Sequence, residues 1–245
     1  MSSGKWKVNS GKRFLLQVKL FSFLFPLSSF LFLISCTQDG YEKGDGKYSN
    51  MRGDFVEAIV GADKTIVSLL TDDGETMPLS QHYSAKWITT PDTVYRCMLY
   101  YNKVREGNGR YAAEPISIGE VPCPIITPLA ELEVPMKTDP VKFESAWMSR
   151  SGRYLNLNLI VMTGTQDDET AIQKLSIVQD TIITNPDATQ TCYLRVFHDQ
   201  GGVPEYYSAH AYASIITSQI PADSVRLSIN TYSGVVEKTF LLKNQ

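Results

Sequence analysis

The sequence is poor in the side chains that most often carry catalysis or hold metals. Its 245 residues include only three histidines and four cysteines, and no two cysteines have the C-x-x-C spacing of a redox or zinc motif. Neither a phosphate-binding P-loop nor a dinucleotide-binding glycine fingerprint is present. No long segment repeats its apolar residues at helical period. These absences favour an all-β protein that binds no cofactor and no metal.

The three histidines are separated in the predicted pattern of strands. His82 lies in a connector, His198 at the end of a strand and His210 in the middle of another. On one extended strand Cys192 and His198 would be about 20 Å apart, too far for a nucleophile and its base; pairing of Cys192 with His210 on a neighbouring strand stays open. The acidic run at 167–169 is too short to supply the oxygen shell of calcium and indicates a solvated loop. We therefore expect no catalytic residue, no metal site and no enzyme.

The balance of charge excludes a further class of function. Residues 1–35 hold five of the 23 basic residues and none of the 26 acidic ones, which leaves 18 basic against 26 acidic side chains and a formal net charge of −8. Nucleic-acid binding depends on clustered lysine and arginine that displace counterions, so we expect no nucleic-acid partner. The acidic residues fall mainly in turns, as at Asp72 and Asp73, where we expect solvated carboxylates.

The longest apolar run lies near the N-terminus and is short for a membrane span. It covers residues 20–34 and is interrupted by Pro26, whereas a spanning helix needs about 20 apolar residues. Basic residues precede the run, as in a secretory signal. It closes on Leu33-Ile34-Ser35-Cys36, which resembles the lipobox of bacterial lipoproteins, whose cysteine is acylated. We predict a signal peptide at 1–35 and lipid attachment at Cys36, with an uncleaved anchor as the alternative.

Residues 36–52 are predicted to form a lipidated flexible tether. The segment 37–50 has three glycines and no aliphatic side chain, so it cannot bury enough apolar surface to fold alone. Two or three acyl chains on Cys36 would anchor the protein stably to a bilayer. We therefore expect the membrane as a partner and a place in the cell envelope, lipid-anchored at the outer membrane, on a face that the sequence leaves open.

The folded part begins with short strands and turns. Three strands with connections at 61–64 and 72–74 precede a long strand near Thr93–Val104 and a fifth near Ala112–Val121. A meander of three strands, a connector and a hairpin of two is the order of an OB-like barrel. We predict a five-stranded OB-like barrel at 53–121, although other small barrels fit the same pattern.

A proline-rich segment separates this region from a second one. Five prolines between Pro122 and Pro140 predict a linker over 122–140, because proline donates no amide hydrogen to a strand ladder. Seven strands at regular spacing then predict a β-sandwich over 141–245.

Alternation of apolar and polar residues is clearest on the second strand of the predicted sandwich. A strand places successive side chains on opposite faces. The residues expected to face inward are Leu155, Leu157, Leu159 and Val161, and those expected to face outward are Asn156 and Asn158.

The remaining cysteines and the aromatic residues permit two further hypotheses. Three cysteines follow Cys36, namely Cys97, Cys123 and Cys192, and three is an odd number. We interpret them as small buried hydrophobic residues. A disulfide between Cys97 and Cys123 stays open as an alternative. Exposed aromatic side chains could form a stacking face for a sugar or a peptide, although at least half of those in the barrel must belong to its core. The candidates are Trp87, Tyr95, Tyr100, Tyr101, Tyr111 and Trp147.

The layout as a whole resembles the NigD-like lipoproteins of Bacteroidetes. The resemblance rests on the lipobox cysteine, the glycine-rich tether, the strand DFVEAIV with its turn TDDG, the proline-rich joint and the ending SVRLSINTYSGVVEKTFLLK. It implies an N-terminal OB domain, a C-terminal β-sandwich and no catalytic residues. Cys36 is therefore the only site residue that the resemblance assigns. Family members are associated with a bacteriocin locus, which implies immunity or envelope protection.

Two functions from different classes follow as expectations, with an enzyme third. The first is a non-enzymatic envelope lipoprotein that binds a protein partner, in the manner of bacteriocin immunity. The second is a carbohydrate-binding accessory lipoprotein that uses exposed aromatic residues. An apolar patch rimmed by polar groups favours the first, and a flat row of exposed tyrosines favours the second.

Overall fold

The structure is a computed structural model that describes residues 51–107, 109–165 and 171–242. The elements are strands, apart from two short 3₁₀ helices at Leu129–Glu131 and Thr217–Gln219. The strands are β1 (Arg52–Val60), β2 (Ile66–Thr71), β3 (Thr76–Met77), β4 (Val94–Arg105), β5 (Tyr111–Glu120), β6 (Ile126–Pro128), β7 (Lys142–Met148), β8 (Tyr154–Thr163), β9 (Lys174–Thr184), β10 (Gln190–Asp199), β11 (Tyr207–Ile216), β12 (Ser224–Thr231) and β13 (Gly234–Leu241). The predicted all-β class is confirmed. No helix in these ranges has the length and hydrophobicity of a membrane span.

The first five strands form one antiparallel sheet in the order β3-β2-β1-β4-β5. A parallel bridge between Leu79 and Ala113 joins the two edges of this sheet. Its concave side is filled by apolar residues at alternate positions, which is the pattern that a strand with one buried face requires. These include Val56, Ala58, Leu69, Cys97, Leu99 and Tyr101. The five predicted strands are present, and their assignment as an OB barrel stays a prediction.

The second body contains two sheets, ordered β13-β12-β10-β9-β6 and β11-β8-β7. All seven strands predicted for the sandwich are present as β7–β13. The alternating leucines of β8 are buried, as predicted, and pack against residues of β10 and β12. The core shared by these strands includes Leu155, Leu157, Leu159, Leu194, Val225 and Leu227.

An additional strand lies within the segment predicted to be a linker. Residues 126–128 form β6, which pairs with β9 in parallel. The prolines therefore do not prevent strand pairing of these three residues, and Thr138 in the same segment forms an isolated bridge to His198. The assignment of 122–140 as a linker between domains stays a prediction. β6 is at the edge of its sheet, where a strand needs hydrogen bonds on one side only, and Pro128 ends it.

The outer face of β8 differs from the sequence prediction. Asn156 was expected to face solvent, yet it is completely buried. Its side chain lies against the first sheet, where Asn156 Nδ2 donates to Asp72 Oδ2 at 2.7 Å. Asp72 is therefore a partly buried acceptor and not the solvated turn carboxylate predicted above. Alternation identifies the two faces of a strand, but it does not say whether another part of the chain covers the second face.

One arginine organises this contact between the first sheet and β8 and β11. Arg96 of β4 is 5% exposed, and its Nη2 donates to Asp72 Oδ2 at 2.7 Å and to Asn156 Oδ1 at 3.0 Å. Its Nε donates to Ser214 Oγ at 3.1 Å. The guanidinium also lies 4.1 Å from the ring centroid of Tyr154, a geometry in which a desolvated cation gains about 2 kcal/mol. We call Arg96, Asp72, Asn156 and Ser214 the Arg96 network.

Further contacts surround the Arg96 network. Glu57 of β1 is buried, and its Oε1 accepts from Tyr154 Oη at 2.8 Å and from Arg153 Nη2 at 2.9 Å. Phe55 packs edge-on against Trp147 and Tyr212, with ring centroids 5.2 Å and 5.6 Å away. The first sheet therefore rests on the second body through an interface that is polar at its centre and aromatic beside it.

Removal of the Arg96 side chain tests the importance of this interface. We expect Arg96→Ala to lower the free energy of unfolding by about 3 kcal/mol or more, because the partly buried carboxylate of Asp72 then loses its cationic partner and Asn156 Oδ1 loses one of its two donors. Arg226→Ala is the matched control, since the Arg226–Glu237 pair is exposed on both sides and should contribute less than about 1 kcal/mol. Denaturant unfolding followed by circular dichroism measures both. An Arg96→Ala loss no larger than that of the control would contradict the assignment.

Candidate functional site

Several predicted features lie outside the described residues. They are the signal peptide at 1–35, the tether at 36–52 up to residue 50, the lipid attachment site Cys36 and the acidic run at 167–169. All of them stay predictions. Within the described ranges, no group of three or more His, Cys, Asp or Glu side chains is placed to hold a metal ion.

His198 is a buried residue with a structural role. His198 Nδ1 lies 2.9 Å from the carbonyl oxygen of Asp139, and Nε2 lies 2.9 Å from Gln173 Nε2. A carbonyl can only accept and an amide nitrogen can only donate, so Nδ1 carries the proton and Nε2 accepts. Both nitrogens are occupied, which leaves neither for a substrate.

The other two histidines are exposed and lie apart. His82 remains in a connector. His210 Nδ1 lies 3.0 Å from Asn158 Oδ1, and its ring stacks on Tyr212. Cys192 is in the core of the sandwich, with Sγ 3.7 Å from Gln179 Oε1. The structure therefore does not bring Cys192 and His210 together as a nucleophile and base.

The three described cysteines are free thiols, so the Cys97–Cys123 disulfide that the sequence left open is not formed. Burial raises the pKa of Cys97 to about 12 and that of Cys192 to about 11. Burial also raises the pKa of Cys123. A thiol is nucleophilic only as the thiolate, so these groups are poor nucleophiles at neutral pH.

The predicted aromatic candidates do not form one exposed row. Tyr101 is buried, and its hydroxyl donates to Asp54 Oδ2 at 2.8 Å. Trp87 packs edge-on against Tyr95 at 5.5 Å, and Trp147 packs on Phe55. Tyr111 is exposed, beneath the ammonium group of Lys103 at 4.8 Å. The hypothesis of a sugar-stacking face composed of all these residues is therefore wrong, because several of them pack within the fold.

A cavity at the side of the sandwich is the strongest candidate for a binding site. It has a volume of about 380 Å³, within the range of roughly 300–1,000 Å³ that is typical of small-ligand pockets. It lies between β11 and β9, beside the segment that leads into β6, and we call it the edge cavity. Its apolar walls include Leu157, Leu159, Leu175, Ile177, Ala211 and Ala213.

The edge cavity has two causes in the sequence. The inward residues of β11 are Ala209, Ala211 and Ala213, whereas their partners on β8 are the larger Val161, Leu159 and Leu157. The short side chains leave space between the sheets. β6 pairs only with residues 177–179 of β9, so within 51–107, 109–165 and 171–242 the adjacent part of β9 has no paired strand on this side.

The rim of the edge cavity is polar. Glu120, His210 and Tyr212 line it together with Pro122 and Pro124. Glu120 and His210 are exposed, and neither lysine nor arginine lines the cavity. The arrangement offers an apolar pocket with one carboxylate at its entrance, suited to an apolar group that is accompanied by a positive charge.

Sequence reasoning missed this cavity, although a signal was present. The alternation of alanine in YSAHAYASII shows a strand whose inner face is unusually small. What the sequence could not show is that no bulky side chain of the opposite sheet fills the space.

Comparison with known proteins places the second body in a family. Residues 124–242 match the family model described as the NigD-like C-terminal beta sandwich domain. No match was found among curated proteins.

Several solved structures share the fold. A NigD-like immunity protein from Bacteroides caccae is 23% identical, with a TM-score of 0.60, and the match covers 78% of this chain and 96% of that one. A proposed toxin-related protein from Parabacteroides distasonis is 14% identical, with a TM-score of 0.56 and coverage of 78% and 92%. A proposed lipoprotein from Bacteroides fragilis is 11% identical, with a TM-score of 0.54 and coverage of 79% and 99%. At these identities the likeness shows the fold alone.

The surroundings of Tyr95 predict an unusual titration. Hydrogen bonds from Thr89 and Thr90 to its hydroxyl oxygen lower the pKa of Tyr95 to about 8, from an ordinary value of 10.0. As the pH rises, the folded chain releases this proton before the unfolded chain does. Tyr95 therefore adds stability that is absent below pH 8 and grows between about pH 8 and 10. Tyrosinate absorbance should show a step near pH 8 that Tyr95→Phe removes, and the same step in the variant would contradict the assignment.

Proposed function

We propose that this chain, which belongs to the NigD-like family through its C-terminal sandwich, is a lipid-anchored protein of the cell envelope that acts by binding. The resemblance predicted from the sequence is confirmed by the match over residues 124–242. The finer function we propose is bacteriocin immunity, in which the protein occupies a toxin or its receptor.

The edge cavity is the observation that carries the binding proposal. An apolar cavity that opens to solvent is unfavourable unless something fills it, because its lining loses packing contacts and gains contact with water. At the cavity itself, the carboxylate is that of Glu120 and the imidazole is that of His210, whose Nδ1 lies 3.0 Å from Asn158 Oδ1. Elsewhere in the described residues, His198 is engaged by a backbone carbonyl and an amide, Arg96 is engaged by its network, and the thiols are buried. The protein therefore offers a place to bind and no assembled catalytic group.

The envelope location is supported by the sequence and by the similar structures. The run before Cys36 has the layout of a lipoprotein signal, and one structure with the same fold is a proposed lipoprotein. Immunity is supported by the NigD-like immunity protein from Bacteroides caccae, whose fold this chain shares over 78% of its length.

Replacement of Cys36 tests the anchor. We expect Cys36→Ala to abolish labelling by a fatty-acid analogue and to release the protein from the outer-membrane fraction, because the acylated thiol is then absent. Cys123→Ala is the matched control and should be labelled like the unchanged chain. Labelling of Cys36→Ala at the normal level would contradict lipid attachment at this residue.

A second set of variants separates binding from catalysis. Protection of a deletion strain against bacteriocin-containing culture supernatant should be restored by His82→Ala, since His82 lies outside the edge cavity, but not by Cys36→Ala. Failure of His82→Ala, when it is folded and anchored, would contradict the non-enzymatic proposal.

Carbohydrate binding is the second candidate, and it is favoured by a different set of tyrosines from the predicted one. Tyr206 is 76% exposed and Tyr207 is 53% exposed. The hydroxyl of the exposed Tyr232 donates to Glu205 Oε2 at 3.1 Å nearby. Aromatic faces beside a carboxylate acceptor can stack on a sugar ring and accept from its hydroxyls.

Retention on immobilised polysaccharide tests this candidate. If the tyrosines bind sugar, the double variant Tyr206→Ala and Tyr207→Ala should elute earlier than the unchanged chain, whereas Tyr111→Ala should not. Equal elution of all three proteins on a range of envelope and dietary polysaccharides would exclude carbohydrate binding at this surface.

A further inference from the structure

The sandwich has four sheet edges, and three of them carry protection against pairing with another strand. β13 has Glu237 and Lys238 at its centre. β7 has Lys142 and Glu144, and its register shifts between Phe143 and Ser145. β6 has only three residues and ends in proline. Charges, bulges and short length are the usual means by which edges avoid added strands.

The fourth edge, β11, lacks these features. It has ten residues and no Asp, Glu, Lys or Arg among them. It pairs with β8 over its whole length without a register shift. In the described part of the chain, β8 is its only neighbour in the sheet. A long, regular and uncharged edge is the kind that accepts another strand.

One hydrogen bond shows that this edge can accept a partner. Ser214 N donates to the carbonyl oxygen of Pro122 at 2.9 Å, on the side away from β8. Amides alternate in direction along an antiparallel strand, so the N–H groups of Ser208, His210 and Tyr212 point to the same side. The chain beyond Pro122 forms β6, and no strand of the described ranges pairs with this side of β11.

The edge cavity lies beside the unpaired part of β11. An added strand would direct alternate side chains to the inner side, where Ala211 and Ala213 leave space. Glu120 stands at the rim and forms none of the ion pairs found among the described residues. A basic side chain on the added strand would therefore meet an unpaired carboxylate.

We propose that the free edge of β11 binds an extended segment of a partner protein as an additional strand, with an apolar side chain in the edge cavity and a basic side chain at Glu120. This proposal rests on the proposed function, since it names the surface by which the protein binds. Backbone hydrogen bonds to β11 provide affinity, and the cavity and Glu120 provide selectivity.

A synthetic peptide tests the proposal on the full chain in detergent. The probe is a labelled nonapeptide of alternating threonine and leucine with one terminal lysine, and fluorescence anisotropy measures its binding. We expect saturable binding that weakens at least about fivefold when the leucine amides are N-methylated, because the backbone bonds are then lost. Replacement of the peptide lysine by glutamate should weaken binding by a similar factor, as should Glu120→Gln in the protein.

Three protein variants identify the site. His210→Pro removes an outward N–H of β11 and should weaken binding at least about fivefold. Ala211→Leu fills the cavity and should also weaken binding. Thr239→Pro is the matched control: Leu242 N donates towards β12, so the Thr239 amide of β13 points outward, and this variant should bind normally. Thermal melting confirms that each variant folds.

Two outcomes would overturn the proposal. In one, the nonapeptide does not bind at millimolar concentration, or binds equally to folded His210→Pro. In the other, dodecylamine binds in the cavity and the peptide does not displace it, which would make the cavity a site for small amphiphiles. Either result leaves the lipid-labelling and protection experiments unaffected, so failure here is distinguishable from failure of the proposed function.

Discussion

The buried guanidinium of Arg96 is the interaction on which the arrangement of the two bodies depends. Its Nη2 and Nε reach an acid from the first sheet and two polar side chains from β8 and β11. Its Nη1 is buried with no hydrogen-bond partner among the described residues. A buried cation is costly unless its donors are satisfied. Any relative movement that lengthened these bonds would add to that cost, so the network favours one fixed arrangement.

This fixed arrangement shapes the candidate binding surface. Tyr212 packs on Phe55 of the first sheet, and His210 stacks on Tyr212. Glu120 at the rim is the last residue of β5, which belongs to the first sheet, and Pro122 follows two residues later. The rim of the edge cavity is therefore contributed by both bodies, while its apolar walls come from the sandwich.

The sequence predicted the fold class and the sandwich strands because period-two alternation is a local property, as the leucines of β8 show. It failed at Asn156 and Asp72, because whether a polar face meets water or another body depends on contacts between residues distant in sequence. It failed at residues 126–128 for a different reason. Proline is excluded from the central strands of a sheet but is tolerated in an edge strand. Composition does not distinguish an edge strand from a linker. The only sequence signal of the edge cavity was the row of alanines in β11. Whether small residues leave a cavity depends on the side chains of the opposite sheet, which the sequence does not place.

The sequence separations within the Arg96 network have a consequence for folding. Arg96 is 24 residues from Asp72, but 60 from Asn156 and 118 from Ser214. During synthesis the N-terminal sheet emerges first, with Arg96 able to reach its carboxylate and neither of its other two partners. The outer face of this sheet then exposes Phe55 and Glu57 until β8 and β11 are made. The N-terminal sheet therefore reaches its final stability only late, and a chain that ends before Ser214 presents an incomplete surface to chaperones and proteases.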